Sequence, residues 1–255
     1  MRLLVVGAGE MGTWFARTLA AELPDRPVVA FADADEETAA AAADAVGGRV
    51  ASPDAADRFD VVCFAVPIPA VEGAVDEWAA RADGALVDVV GVMTPVVERM
   101  AAAGPDVERV SLHPLFAPAN APGNVAVVAD APGPVTDRVR AALSAAGNNL
   151  FETTATEHDE AMETVQARAH AAVLAFGLAA EPVAREFQTP VSSALFDLVE
   201  GVTGNDPRVY SDIQAAFDGA ADVADAADRL ADAGPEAFAD LYREADASLG
   251  GPRRE

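Results

Sequence analysis

Three histidines are the side chains of this 255-residue sequence best suited to moving a proton: His113, His158 and His170. An imidazole with an ordinary pKa of ~6.5 can accept a proton near neutral pH. His113 directly follows an apolar run that predicts a strand, whereas His158 and His170 flank a predicted helix. All three could face one cleft. The alternatives are a helix-cap neighbour for His158, a core or interface residue for His170 and a hydrogen-bonded loop residue for His113.

Three glycines form a second chemical pattern, in the segment Gly7-Ala8-Gly9-Glu10-Met11-Gly12. An apolar run precedes the segment, and apolar residues recur at helical spacing after it. In a dinucleotide-binding turn, the first glycine permits the tight turn and the second lets the backbone approach a pyrophosphate. The third lets the helix pack on the strand, and the helix N-terminus attracts the phosphates. The pattern predicts a nucleotide site here, with a plain glycine-rich turn as the alternative.

Asp33 lies 21 positions after Gly12, just beyond a second β-rich run over 28–31. That separation is expected of an acid that binds the hydroxyls of a ribose. The neighbouring residues include no arginine that could bind a 2′-phosphate, so NAD is favoured over NADP. The alternative is that Asp33 caps a helix and that Asp35 takes the ribose role.

The charged residues exclude several classes of protein. All 17 cations are arginine, and without lysine there can be no Schiff-base enzyme, P-loop nucleotide hydrolase or lysine-dependent dehydrogenase. One cysteine, Cys63, and three scattered histidines show no zinc-ligand spacing, so no metal is expected. The 42 acidic residues give a net charge of −25, which disfavours a nucleic-acid partner. This acidic, lysine-free composition predicts a protein adapted to concentrated salt, where self-repulsion is screened; an ordinary acidic cytosolic enzyme is the alternative.

The apolar runs are too short for a membrane protein. Charged residues, proline or glycine interrupt each run before the ~18 residues that a spanning helix needs, so we expect no membrane partner. The first run breaks into glycines after six residues and carries no cleavage site, which disfavours a secretory signal. We therefore predict a cytoplasmic location.

Further apolar runs predict strands over 61–66, 85–90, 109–112 and 125–129, at the spacing of strand–helix–strand units. The predicted fold class is α/β, with a doubly wound, mostly parallel Rossmann sheet. Ligands bind beyond the carboxyl ends of such strands. The candidate site loops are therefore Ala65-Val66-Pro67, the segment after Asp88, and His113-Pro114.

The pattern changes near residue 150, where long helical periods replace the short apolar runs. We predict a dinucleotide-binding domain over 1–152 and an all-helical domain over 153–255, with later helices near 191–203, 208–233 and 235–247. Thr156 with Asp159 resembles a capping box that opens the first of these helices. On that helix Gln166 and His170 are four positions apart and share a face.

Together these segments resemble the prephenate dehydrogenase family over nearly the whole chain. Their order and spacing carry the resemblance. The matching pieces are Gly7 to Gly12, Ala65-Val66-Pro67, Asp88, His113-Pro114, Glu157-His158-Asp159 leading through Met162 and Gln166 to His170, and Asp206-Pro207 with Tyr210, Asp212 and Ile213.

The resemblance implies oxidation of the ring hydroxyl of prephenate by hydride transfer to NAD, with loss of carbon dioxide, to give 4-hydroxyphenylpyruvate for tyrosine synthesis. His113 would accept the hydroxyl proton. The helical domain would bring His170, Gln166 and His158 to the substrate and would pair with its copy in a homodimer. The residues implied to hold NAD are Gly7, Gly9, Glu10, Met11, Gly12, Asp33, Ala65, Val66 and Pro67.

Two positions depart from the family's pattern. Family members commonly carry Gly-Ser-Val-Lys where this chain reads Val90-Gly91-Val92-Met93, and an arginine where it has Gly201. If the chemistry is retained, another group must hold the substrate carboxylates: Arg168, Arg208 or a helix N-terminus. The alternative for Arg168 is a contact with a partner chain. The alternative functions are another NAD-dependent dehydrogenase, such as one acting on arogenate, and a catalytically silent nucleotide-binding regulatory protein.

Overall fold

The computed structural model describes residues 1–52 and 56–248. The chain divides into two compact units, Met1–Met162 and Glu163–Glu255. The division predicted at 152/153 follows the change from strands to helices. The units divide later because the helix Ala155–Met162 packs on the helix Thr94–Ala103 of the first unit. Residues 249–255 of the predicted helical domain lie outside the described residues.

The first unit alternates strands and helices. Its helices are α1 Glu10–Glu22, α2 Glu36–Val46, α3 Val71–Trp78, α4 Thr94–Ala103, α5 Pro134–Ala145 and α6 Ala155–Met162. Its strands are β1 Arg2–Val6, β2 Val28–Ala32, β3 Arg49–Val50, β4 Phe59–Phe64, β5 Ala82–Asp88, β6 Glu108–Pro114, β7 Asn124–Ala131 and β8 Asn149–Glu152.

The eight strands form one sheet in the order β3-β2-β1-β4-β5-β6-β7-β8. β6 and β7 pair antiparallel, and the other neighbours pair parallel. The predicted doubly wound, mostly parallel sheet is therefore confirmed. β3 and β8 had no prediction, because these short edge strands are mostly exposed and carry no apolar run.

The core lies along the central strands, which are buried on both faces. Leu3, Leu4 and Val5 of β1 and Val61 of β4 have no exposed surface. Strands covered on both faces need apolar side chains at successive positions, which explains why they were visible as unbroken runs. Cys63 is buried in the same layer and is a core residue.

The second unit is helical. A π-helical segment over Glu163–Arg168 leads into α7 Ala169–Ala179, followed by α8 Pro190–Thr203, α9 Pro207–Ala216, α10 Ala220–Asp232 and α11 Pro235–Ser248. The single helix predicted over 208–233 is wrong: the chain leaves the helix at Phe217, which is buried, and resumes at Ala220. Within the described part of the chain, no helix is both long and apolar enough to cross a membrane.

Candidate active site

The glycine turn joins β1 to α1, and two of its glycines are required by the backbone. Gly7 has φ +97°, and a Cβ there would lie 2.3 Å from the carbonyl oxygen of Ala65. A Cβ at Gly12 would lie 2.1 Å from the carbonyl oxygen of Gly7. A Cβ at Gly9, by contrast, would meet nothing within 4 Å. The second glycine therefore borders open space, as a backbone that approaches a pyrophosphate must.

The amides at the start of α1 face this same turn. Gly9 is the N-cap and has no side chain to cap the helix, and the first bond inside the helix runs from the Thr13 amide to the Gly9 carbonyl. The first amides of a helix have no acceptor within it, and they carry a partial positive charge. Glu10 and Met11 supply such amides. Ala65-Val66-Pro67 follows β4 beside the turn, held by a 2.7 Å bond from the Ala65 amide to the Val6 carbonyl. The arrangement fits a pyrophosphate.

Asp33 directly follows β2 and lies against the glycine turn. Its Oδ2 accepts a hydrogen bond from the Ala8 amide at 2.7 Å, and its Oδ1 accepts one from the Asp35 amide at 3.0 Å. Asp35 is the N-cap of α2, where it accepts from the Glu37 amide. The helix-capping role therefore falls on Asp35. Because each carboxylate oxygen has a second lone pair, Asp33 can still accept bonds from ribose hydroxyls.

His113 lies near the end of β6, on the same edge of the sheet as the glycine turn. β1, β4, β5 and β6 are adjacent and parallel, so their carboxyl ends line up along that edge. The imidazole is 6% exposed, and burial together with the neighbouring His158 lowers its pKa to about 3. It is therefore neutral at pH 7. A Cβ at Gly91 would lie 3.6 Å from its Nε2, so this nitrogen faces the loop after β5.

His158 lies directly behind His113. Its Nε2 is 2.8 Å from Nδ1 of His113, and its Nδ1 is 2.8 Å from Oδ1 of Asp159. The side chain was expected to contact substrate. It is instead buried, 3% exposed, with both ring nitrogens occupied by protein groups.

Asp159 joins this pair of imidazoles to α4. Its Oδ1 accepts from the Met93 amide at 3.0 Å, and its Oδ2 accepts from the Thr94 amide at 2.9 Å. Burial opposes ionisation, but the bonds from His158, Thr94 and Met93 prevail and lower the pKa of Asp159 to about 2. The carboxylate is therefore an anion at neutral pH.

The predicted capping box of Thr156 and Asp159 is wrong. α6 begins at Ala155, so the reciprocal bonds form two residues earlier, between Thr154 and Glu157, each at 3.2 Å. The prediction hid the role of Asp159. The available signal was its place directly after His158.

The remaining predicted substrate residues belong to the second unit. The His170 ring packs edge-on against Tyr210 at 4.8 Å, and burial lowers its pKa. Within the described residues, Nδ1 of His170 and Oε1 of Gln166 are buried without a hydrogen-bond partner. Arg168 forms ion pairs with Asp222 at 2.6 Å and Glu163 at 3.3 Å. The substrate-binding roles of His170, Gln166 and Arg168 stay predictions.

Both arginines suggested for the substrate carboxylates already form ion pairs with acidic side chains. Arg208 pairs with Asp206 at 2.8 Å, as Arg168 pairs with its two acids. Across residues 1–52 and 56–248, no group of three or more His, Cys, Asp and Glu side chains is arranged to hold a metal ion.

The features of the first unit define a class of protein. A glycine turn that fits a pyrophosphate, an acid placed for a ribose and a neutral imidazole on the same sheet edge are the parts of a nucleotide-dependent oxidoreductase.

Comparison with known proteins narrows this class. The family model "Prephenate dehydrogenase, nucleotide-binding domain" matches residues 15–129. A relative from Streptomyces pristinaespiralis, 4-amino-4-deoxyprephenate dehydrogenase, is 34% identical over 238 residues, which cover 86% of this chain and 78% of the relative. The chain belongs to the prephenate dehydrogenase family, as the resemblance predicted.

Solved structures share the fold. Prephenate dehydrogenase from A. aeolicus, solved with hydroxyphenyl propionate and NAD+, matches with a TM-score of 0.67 and 16% identity, over 98% of this chain and 88% of its own. Arogenate dehydrogenase from Synechocystis matches with a TM-score of 0.63 and 13% identity, over 98% and 99% of the two chains. At these identities the likeness concerns the fold.

Proposed function

We propose that this chain is an NAD-dependent prephenate dehydrogenase that acts in tyrosine synthesis. The observation that carries the proposal is the neutral His113, whose Nε2 faces Gly91 on the sheet edge that also bears the glycine turn. Family membership supports the reaction type, oxidative decarboxylation of a prephenate-like ring.

The cofactor is NAD, which supplies a hydride acceptor when bound. The amides around Gly9, Glu10 and Met11 bind its pyrophosphate, and Gly7 and Gly12 give the turn its shape. Asp33 binds a ribose, and the segment Ala65–Pro67 lines the adjoining space.

His113 takes the substrate proton. Its Nε2 accepts the proton of the ring hydroxyl, so the O–H bond breaks and an N–H bond forms. The oxygen electron pair forms a carbonyl as the carbon-bound hydrogen leaves as hydride. The ring carboxylate then leaves as carbon dioxide, and the electron pair of the broken C–C bond moves through the ring to the carbonyl oxygen, which takes back a proton to give the phenol. The ring thereby becomes aromatic, which drives the reaction. The protein's contribution is to hold the ring and the base in register.

A second candidate substrate is 4-amino-4-deoxyprephenate. The 34% identical relative is named for it, and Gly91 presents no hydroxyl beside Nε2 of His113. An amine N–H can donate to that nitrogen as a hydroxyl can.

The test is NADH formation by the purified chain with prephenate, arogenate and 4-amino-4-deoxyprephenate. We propose a salt-rich cytoplasm for this acidic protein, so each assay is run in both molar and dilute KCl. We expect kcat/KM for prephenate to exceed the other two by at least tenfold, with the higher rate in molar salt. A preference for either other substrate would reassign it. NAD binding without NADH from any substrate would indicate a silent regulatory protein.

Asp33→Ala should weaken NAD binding by roughly 10- to 100-fold, because a hydrogen bond to a charged group contributes ~1.5–3 kcal/mol. Affinity for NADP should change little or improve, since the variant removes an anion that repels the 2′-phosphate. Calorimetric titration of both cofactors measures the two affinities. Asp35→Ala is the matched control: it removes an N-cap worth about 1 kcal/mol of stability and should leave NAD affinity unchanged. Equal losses of NAD affinity in both variants would contradict the assignment to Asp33.

We further propose that the second unit pairs with the second unit of another copy. α7 contains no charged residue, neither α7 nor α8 has a fully buried residue, and Leu178 is 89% exposed. A helix that is apolar on all sides is normally buried against another element.

Light scattering in molar salt should give twice the chain mass, and Leu178→Glu should reduce it to the monomer mass. Val50→Glu, at an exposed apolar position of the first unit, is the control and should stay dimeric. A monomeric wild-type chain would overturn this proposal.

A further inference from the structure

The hydrogen bonds behind His113 determine which of its ring nitrogens carries the proton. Asp159 accepts hydrogen bonds from two backbone amides at the start of α4, which hold its carboxylate as an anion. An ionised carboxylate can only accept hydrogen bonds. The Nδ1 of His158, 2.8 Å from Oδ1 of this carboxylate, must therefore donate.

The position of the proton on His158 determines the position of the proton on His113. A neutral His158 with its proton on Nδ1 has its lone pair on Nε2, 2.8 Å from Nδ1 of His113. His113 must then donate from Nδ1, which leaves the lone pair of His113 on Nε2, the nitrogen beside Gly91. We propose that Asp159 and His158 are positioning residues that fix His113 in the tautomer whose Nε2 is the base.

The same contacts stabilise the base after it reacts. When Nε2 takes the proton of the substrate hydroxyl, His113 becomes a cation. The cation keeps its hydrogen bond from Nδ1–H to His158, and the negative charge of Asp159 behind His158 offsets the positive charge. The carboxylate of a Ser-His-Asp triad stabilises its imidazolium in the same way. This step rests on the proposed function, whereas the tautomer does not.

Other charged groups around the imidazole pair are either neutralised or directed to solvent. Burial raises the pKa of Asp88, at the end of β5, to about 8. The remaining groups on the adjoining elements are the exposed Glu98, Glu157 and Glu160, Asp83 paired with Arg58, Arg99 paired with Asp76, Glu108 bonded to the start of α5, and Arg109 paired with Asp130. Asp159 is therefore the anion in contact with the pair.

Nitrogen NMR of the 15N-labelled full chain tests the tautomers directly. The chain has three histidines, so two-bond 1H–15N correlations can be assigned with single variants. We expect both His113 and His158 to carry their protons on Nδ1 at pH 7. A His113 proton on Nε2 would overturn the inference, and this result would not depend on any substrate being turned over.

Asp159→Asn tests the role in turnover. Its amide can donate to His158, which moves the His158 proton to Nε2 and forces the His113 proton onto its own Nε2. We expect the His113 signal to change tautomer and kcat to fall by ~10²-fold or more, with the NAD Kd within threefold. The acid limb of the kcat/KM profile should move to lower pH, because the lost anion favoured the protonated pair. Glu160→Gln, which removes the same charge from the exposed neighbouring position, should change none of these.

His158→Gln covers the case in which Asp159→Asn fails to fold. The Gln carbonyl can accept from Nδ1 of His113, so the tautomer should persist and kcat should stay within about tenfold of wild type. His158→Phe offers no acceptor and should lose ~10²-fold. Equal kcat in these two variants, or an Asp159→Asn chain in which the His113 tautomer changes while kcat does not, would show that the contacts serve the fold alone. Absence of NADH in the wild-type chain would refute the proposed function and leave the NMR result to decide the tautomer.

Discussion

His113→Asn should lower turnover of prephenate by ~10²- to 10⁴-fold, the usual contribution of a general base, while NAD affinity stays within about threefold. The imidazole lies on the cofactor edge of the sheet, on β6, which β4 and β5 separate from β1, so loss of the base should spare the nucleotide site. Steady-state rates in molar salt and calorimetric titration with NAD measure the two effects. Turnover within threefold of wild type would exclude His113 as the base.

The pH dependence gives an independent check on the same residue. Protonated His113 cannot accept a proton, and burial lowers its pKa to about 3. Wild-type kcat/KM should therefore persist well below pH 6.5, where an ordinary histidine is already half protonated. The residual activity of His113→Asn should show no such acid limb.

Gly9→Ala and Gly12→Ala should separate the effect of the glycine turn on NAD affinity from its effect on the stability of the fold. At Gly12, a Cβ would lie 2.1 Å from the Gly7 carbonyl oxygen, so the turn must shift, and we expect a loss of about 1–3 kcal/mol of stability and a Tm lower by roughly 2–12 °C. At Gly9, φ is −66° and a Cβ meets nothing within 4 Å, so the Tm should change by no more than about 2 °C.

NAD binding should respond in the opposite way at Gly9. A methyl group there fills the space through which the backbone approaches a pyrophosphate, so the Kd should rise at least tenfold in a fully folded protein. Thermal unfolding followed by circular dichroism and NAD titration of the same samples make the comparison. Unchanged NAD affinity in Gly9→Ala would mean that no pyrophosphate lies against this turn.

The sheet could be predicted from the sequence because its central strands are buried on both faces and so appear as unbroken apolar runs. The site segments Gly7–Gly12, Ala65–Pro67 and His113 followed, since parallel strands end on a common edge. β3 and β8 could not be found this way, because their exposed residues carry no pattern.

The arrangement of Asp159 could not be predicted, since it depends on where α6 begins and on how it packs. A shift of the capping box from Thr156 to Thr154 frees the Asp159 carboxylate to reach the amides of Met93 and Thr94. No local pattern links residues so far apart in the chain. The π-helical segment at Glu163–Arg168 was likewise invisible, because its residues fit an ordinary helix period equally well.

The position of α6 within the first unit has a consequence for biosynthesis. The ribosome releases every strand of the sheet, β1 to β8, before it releases His158 and Asp159. A nascent chain can thus complete its nucleotide pocket while the imidazole at 113 still has solvent behind it and exchanges freely between its two neutral forms. If the tautomer assignment above holds, His113 is fixed as a base at Nε2 only when α6 packs against the rest of the first unit.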